Sequence, residues 1–235
     1  MAKTAKQAAT TLLIVGFENS GKSTLGATIK DALVINCDHK TYNFNQTHSN
    51  YIDWKGFDDF RAFVNEKIKK YKEVKGNFPK VVVFDTITHL YNTMIKYNSV
   101  KYSANKFAAM EKNNEDVIDI AEYVRQINSG GINVVIMAHT KVDAKTDRFT
   151  VPAQGSFRDS GSWQSFVSES IFINRDADTH TITIKNPSNA CVRTNIKRII
   201  NDEENIIQVP FKEFDVNAHL DEIIANIAET KELEI

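Results

Sequence analysis

Cysteine is scarce in this 235-residue chain, which holds only Cys37 and Cys191. The two lie far apart, and neither has a His or Cys partner at metal-binding spacing. No zinc site is implied, and two free thiols in a reducing compartment are expected. An excess of one charge is also missing. With 29 basic residues against 30 acidic ones the net charge is -1, so any nucleic-acid surface has to be a local patch. No apolar run approaches the length needed to cross a bilayer, which points to a soluble protein without membrane partners. Residues 1–10 carry Lys3 and Lys6 but no apolar stretch or cleavage site of a secretory signal. They are expected to be a flexible N-terminal segment on a cytoplasmic protein. Repeats and low-complexity linkers are absent as well.

What is present begins with core-forming material, 42% hydrophobic residues including 14 Phe, enough for a single α/β domain over residues 11–235. Residues Gly16-Phe17-Glu18-Asn19-Ser20-Gly21-Lys22-Ser23 complete the pattern G-x-x-x-x-G-K-[ST], directly after the apolar run Leu12 to Val15 and before a helix-compatible stretch at about 21–31. A triphosphate presents many negative oxygens, and a glycine-rich turn aims successive backbone N–H groups at them. Gly16, Asn19, Ser20, Gly21, Lys22, Ser23 and Thr24 are therefore the expected nucleotide-binding set. Lys22 would bridge the β- and γ-phosphates, and the Ser23 hydroxyl would ligate Mg²⁺. A second apolar run, Val81-Val82-Val83-Phe84, ends in Asp85. Asp85 is either the second Mg²⁺ residue or, with Thr86, an ordinary helix cap.

Periodicity organises the rest. Ala32 to Asp38 reads as a strand ending in a carboxylate. Phe57, Phe60, Val64, Ile68 and Tyr71 recur at helical spacing, closed by Gly76-Asn77-Phe78-Pro79. A polar, Tyr- and Asn-rich segment then runs to about Asn105. Val117, Ile120, Ala121, Val124 and Ile127 mark another helix, ended by Gly130-Gly131. The run 132–138 is a strand, followed by His139-Thr140-Lys141 and a long polar stretch to Trp163. Residues 170–173 and 181–185 read as strands, with a turn at Asn186 to Asn189 before Val192, and the tail from Val216 to Ile227 is helical. The expected fold is α/β, a P-loop NTPase core with a mostly parallel sheet, flanking helices and a β-hairpin near the C-terminus.

Turnover requires a group that handles water. Asp38 stands where ligands gather at the carboxyl ends of parallel strands, as a water-orienting base or as a plain loop carboxylate. His139 ends the fourth strand on the same side, as a γ-phosphate sensor or a structural histidine. Beyond it, Lys141, Lys145, Arg148, Phe149, Phe157 and Arg158 mix cations with rings, suiting a single-stranded DNA platform or a solvated lid. Arg193, Lys197 and Arg198 cluster after the hairpin. They are either a trans-acting finger for a neighbouring subunit, Arg193 and Lys197 foremost, or a solvated group.

Together, the P-loop, Asp38, the Val81 to Asp85 strand and the run Ala138-His139-Thr140-Lys141 resemble the RecA-like phage nucleotide-binding proteins that act as single-strand annealing ATPases. The resemblance spans about Thr11 to Arg198. In RecA-type ATPases a carboxylate within Ile-Asp-Ala-Glu-His activates water, and Ile35-Asn36-Cys37-Asp38-His39 is similar, with Asp in place of Glu. The likeness implies ATP and Mg²⁺ as cofactors, Lys22, Asp38, Asp85 and His139 as catalytic residues, and His139 as the switch between nucleotide and a DNA loop at 141–163. It further implies a homo-oligomer on single-stranded DNA in the host cytoplasm, with a single-strand DNA-binding protein as a candidate partner. Without the flanking domains of full recombinases in this sequence, annealing or a simplified pairing role is expected in place of autonomous strand exchange.

Three rivals stand beside it. Thr140-Lys141-Val142-Asp143 fits the [NT]-K-x-D element of GTPases, although Asp85-Thr86-Ile87-Thr88 lacks the glycine of D-x-x-G. A small-molecule kinase would use the polar loop as a lid, and a non-catalytic module would bind nucleotide without turnover.

Overall fold

The structure, a computed structural model, describes residues 9–38, 40–143, 148–153, 157–158 and 162–231. Its first strand, β1 (Thr11–Gly16), is buried along its whole length and pairs in parallel with β5 (Asn133–His139) and β8 (Glu169–Arg175). Parallel pairing continues through β4 (Val81–Asp85), β2 (Ala32–Asn36) and the short β3 (His48–Asn50). At the other edge β9 (His180–Lys185) and β10 (Ile207–Pro210) run antiparallel, giving the order β10-β9-β8-β1-β5-β4-β2-β3. These runs of Val, Ile and Leu form strands because the sheet is covered on both faces.

Alternation along each strand sorts the core into two layers. Leu13, Val15, Ile35, Val82, Phe84 and Ile136 face α2 (Phe57–Lys75), α3 (Ile87–Lys101) and α4 (Lys106–Ser129). Leu12, Ile14, Val34, Val83, Val135 and Met137 face α1 (Lys22–Gly26), the short α5 (Lys197–Ile200) and α6 (Val216–Lys231). The mostly parallel sheet with helices on both faces is the α/β architecture expected from the sequence.

Several local expectations need correction. The helix after the P-loop spans five residues, Lys22–Gly26, and not 21–31. It presses so closely on the sheet that a Cβ at Gly26 would sit 2.2 Å from the Met137 methyl, and the chain then unwinds through i→i+3 turns at Thr28 and Ile29. The polar segment before Asn105 is a helix, α3. Its Asn98 donates to both Asn113 and Asp116 of α4 at 2.9 Å, so a polar residue is satisfied between packed helices. Within the long loop, Lys141–Asp143 (β6) and Arg148–Thr150 (β7) pair as a small antiparallel ribbon. The hairpin lies between β8 and β9, through residues 176–179, while the 186–189 turn leads only to a single bridge between Ser170 and Arg193. Neither β3 nor β10 was legible, because three- and four-residue edge strands carry almost no periodic signal.

At the opposite end of the sheet from the P-loop, Glu169 is 1% exposed. One carboxylate oxygen accepts the Asn195 N–H, and the other has no partner among the described residues. Burial pushes its pKa up to about 7, against the opposing pull of the Asn195 and Ile196 amides and the Thr194 hydroxyl. A carboxyl raised in the folded state binds its proton more tightly there than in the unfolded chain. Stability is therefore lost as pH climbs from about 4.5 to about 7. Glu169→Gln should remove that slope, making the variant more stable than the parent by on the order of 3 kcal/mol at pH 8 and nearly equal at pH 4.5. Urea denaturation at the two pH values checks this, and parallel losses in both proteins would refute it.

Candidate functional site

Register brings the ends of the parallel strands to one level. Gly16 lies opposite His139, and Asn36 opposite Asp85. The loop leaving β1 folds back over the strand end, so a Cβ at Gly16 would come 2.4 Å from Ser20 Oγ and 3.0 Å from the Ile173 carbonyl. Asn19 (φ 59°) and Gly21 (φ 99°) take the left-handed conformation, Gly21 as the N-cap of α1. Because α1 is so short, the loop amides and Lys22 dominate its anion-binding character over a helix dipole. Lys22 is buried, and its Nζ donates to the Gly16 carbonyl at 2.9 Å and the Phe17 carbonyl at 2.6 Å. Burial lowers its pKa to about 8, with Asp85 the largest opposing charge.

The loop forms one wall of a cavity of about 340 Å³ that is also lined by Asn36, Asp38, Asp85, Thr86, His139 and Arg175. Asp85 is 2% exposed, and its Oδ1 has no hydrogen-bond partner among the described residues. Burial raises its pKa, while the neighbouring Ser23 hydroxyl favours the charged form. A buried carboxylate oxygen left unpaired beside a serine hydroxyl fits Mg²⁺, which takes one or two protein oxygens and completes its shell with phosphate and water. Ser23 and Asp85 would hold that ion.

Asp38 reaches the same cavity. It stands 3.8 Å from both Lys40 Nζ and His89 Nδ1. His139 has its backbone N–H bound to Thr88 Oγ1 at 2.9 Å. Burial, with the charges of Lys22 and His89, depresses its pKa to about 4, so it stands neutral at pH 7. All of the expected loop residues from Asn19 to Thr24 line the cavity together with Asp38, Asp85 and His139; His39 lies outside the described residues.

Sequence reasoning missed Lys40, Tyr42, Phe44, His89 and Arg175. The first three come from an irregular segment after β2 and line the cavity, with the Tyr42 and Phe44 rings edge to face at 5.2 Å. His89 had a usable signal, since it sits one helical turn beyond Asp85. Its ring meets His139 at 5.0 Å, and its Nδ1 is 2.8 Å from Thr86 Oγ1. Arg175 had none.

The residues assigned to DNA do not form one open platform. Phe157 is buried (3% exposed) in the core, stacked on Phe166 and edge-on to Trp163, so its ring is not presented to a base. Phe149 packs against Phe172 at 4.9 Å and against Phe17 of the P-loop at 5.7 Å. Lys141, Arg148 and Arg158 are exposed, and Lys145 lies outside the described residues. Arg193 bridges to Ser170 at the far end of β8 from the P-loop, Lys197 opens α5, and Arg198 is paired with Glu222. Within one chain, then, none of these three cations lines the cavity. Thr140 to Asp143 is absent from the lining as well. Thr140 is buried with its hydroxyl on the Thr150 carbonyl, and the next three residues form β6, so the [NT]-K-x-D run does not present a base-reading carboxylate.

A P-loop, a buried strand-end aspartate and a cavity between them on a parallel α/β sheet define a P-loop nucleotide-binding domain. The family described as AAA domain matches residues 8–190, and the chain belongs to it. No curated protein matches. Among solved structures, the chain is similar to the KaiC-like protein PH0186 from the hyperthermophilic archaeon Pyrococcus horikoshii OT3, at 10% identity and a TM-score of 0.49, covering 89% of this chain and 88% of that one. No helix among the described residues is long and apolar enough to cross a membrane.

Because Asp85 is the largest favourable charge on buried Lys22, Asp85→Asn should lower the melting temperature by a few degrees while weakening Mg²⁺-dependent nucleotide binding at least about tenfold. Thermal scans and nucleotide titrations with and without Mg²⁺ read the two effects. A variant unchanged in Mg²⁺ response would remove Asp85 from the metal site.

Proposed function

We propose that the protein is a Mg²⁺-dependent ATPase. The observation that carries this reading is the unpaired, buried Asp85 Oδ1 beside Ser23, in the cavity where Lys22, Asp38 and His139 converge. Lys22 and the loop amides hold the phosphates. Bound Mg²⁺ supplies charge neutralisation at the terminal phosphates. Asp38 orients the attacking water, and neutral His139 donates or accepts a hydrogen bond without adding charge. The Tyr42 and Phe44 rings give the cavity an aromatic wall for a base.

The finer part of the proposal is that turnover responds to single-stranded DNA, within an oligomer in which Arg193 or Lys197 of a neighbouring subunit reaches the nucleotide. The β6–β7 ribbon favours it: Lys141 and Arg148 are exposed there, the ribbon follows His139 directly, and its Phe149 touches Phe17 of the P-loop. Annealing in phage recombination rests on the sequence resemblance.

Steady-state hydrolysis of ATP and GTP, each with and without single-stranded DNA at low salt, tests this. ATP turnover is expected, with Lys22→Ala lowering it at least about a hundredfold and Asp38→Asn lowering kcat by about 10²-fold or more at little changed KM. Preference for GTP, or full turnover in Lys22→Ala, would sink the ATPase assignment. Lys141→Ala combined with Arg148→Ala should weaken DNA binding and flatten its salt dependence, leaving ATP affinity intact. Unchanged DNA affinity would take the ribbon out of the interface.

A further inference from the structure

The P-loop is gripped from outside by the antiparallel edge of the sheet. Arg175, at the end of β8, donates from Nη1 to the Asn19 carbonyl at 3.0 Å. His180, at the start of β9, lies with Nε2 2.9 Å from the Ser20 carbonyl. A carbonyl only accepts, so Nε2 carries the hydrogen. The His180 ring is stacked on Phe211, centroids 3.9 Å apart and 12° from parallel. The edge of the Phe211 ring stands where a Cβ at Gly21 would meet it at 3.0 Å.

A planar trans peptide points its carbonyl and the next residue's N–H in opposite directions. Fixing the Asn19 carbonyl outward turns the Ser20 N–H to the inside of the loop, and it does lie there, 3.3 Å from the Phe17 carbonyl that also receives Lys22. By the same geometry, fixing the Ser20 carbonyl outward turns the Gly21 N–H toward the cavity. Asn19, a non-glycine residue in the left-handed region, adds a cost that the loop's surroundings have to offset, whereas Gly21 takes that region freely. We infer that Arg175 and His180 are positioning residues for nucleotide binding: by holding two consecutive P-loop carbonyls, they keep the Ser20 N–H on the Phe17 carbonyl, which fixes the turn, and aim the Gly21 amide at the phosphates. This rests on the nucleotide-binding part of the function proposed above and goes beyond it by making the β8–β9 hairpin part of the phosphate grip.

The test separates the hydrogen-bond donor from the packing. Arg175→Met and His180→Phe keep the stem or the stacked ring but lose the donor, whereas Arg175→Lys and His180→Gln keep a donor. Titration of the full chain with MgADP and MgATP gives Kd, and steady-state hydrolysis gives KM and kcat. Each donor-less variant should weaken both nucleotides by about tenfold, the cost of one lost hydrogen bond, and raise KM with kcat near the parent's. The donor-keeping variants should recover most of that loss. Melting temperatures without nucleotide should stay close to the parent's in His180→Phe, where the stack remains. Parental affinity in the donor-less variants, or equal losses in His180→Phe and His180→Gln, would overturn the inference. A parent that binds nucleotide but does not hydrolyse it defeats the ATPase reading alone, with the Kd values still deciding this one. A parent that binds neither nucleotide defeats both.

Discussion

Two opposite charges, Lys22 and Asp85, are held out of water at the carboxyl edge of a sheet whose other inward residues are almost entirely apolar. Burial works against both, lowering the pKa of the ammonium and raising that of the carboxylate. The apolar layers on either face of the sheet have to offset that cost, and they do so without polar interruption from Leu12 to Val15 and from Val81 to Phe84. A site of this kind is expensive in stability and useful in chemistry, because phosphate and metal interactions are strongest where water is excluded.

The sheet delivers the site by register. Five of the six parallel strands, all but the short edge strand β3, end on a residue that matters: Gly16, Asn36, Asp85, His139 and Arg175. Slipping any strand by one residue would send the wrong faces into the two core layers and move these ends out of line together. The antiparallel edge has a different task. The hairpin of β8 and β9 brings Arg175 and His180 onto the outer side of the P-loop, so the loop is confined between the strand it leaves and the strands that pair last in the chain. Phe17 extends the contact in a third direction, to Phe149 and Phe172, and ties the loop to the β6–β7 ribbon.

Much of this was legible beforehand. The glycine pattern with Lys22 and Ser23 announces itself because only glycine permits the backbone path, and long apolar runs with helical stretches between them specify a parallel sheet. Asp38, Asp85 and His139 were readable as strand-end polar residues. The misreadings have one origin, which is that local composition was asked to settle matters of packing. Segment 87–101 reads as polar loop until Asn98 finds Asn113 and Asp116 on α4. Phe157 reads as a ring for stacking until Trp163 and Phe166 enclose it.

The sequence by itself determined the phosphate loop, the alternation that makes a two-faced sheet, and the polar residues at the strand ends, since each depends on neighbours within a few positions. Tertiary structure alone decided which remote side chains meet them. His89 beside Asp38, Arg175 on Asn19 and His180 on Ser20 are pairs separated by 51, 156 and 160 positions, and no local spacing encodes them. They exist because parallel pairing sets β1 next to β8 and β2 next to β4, and strand order is a property of the packed sheet as a whole.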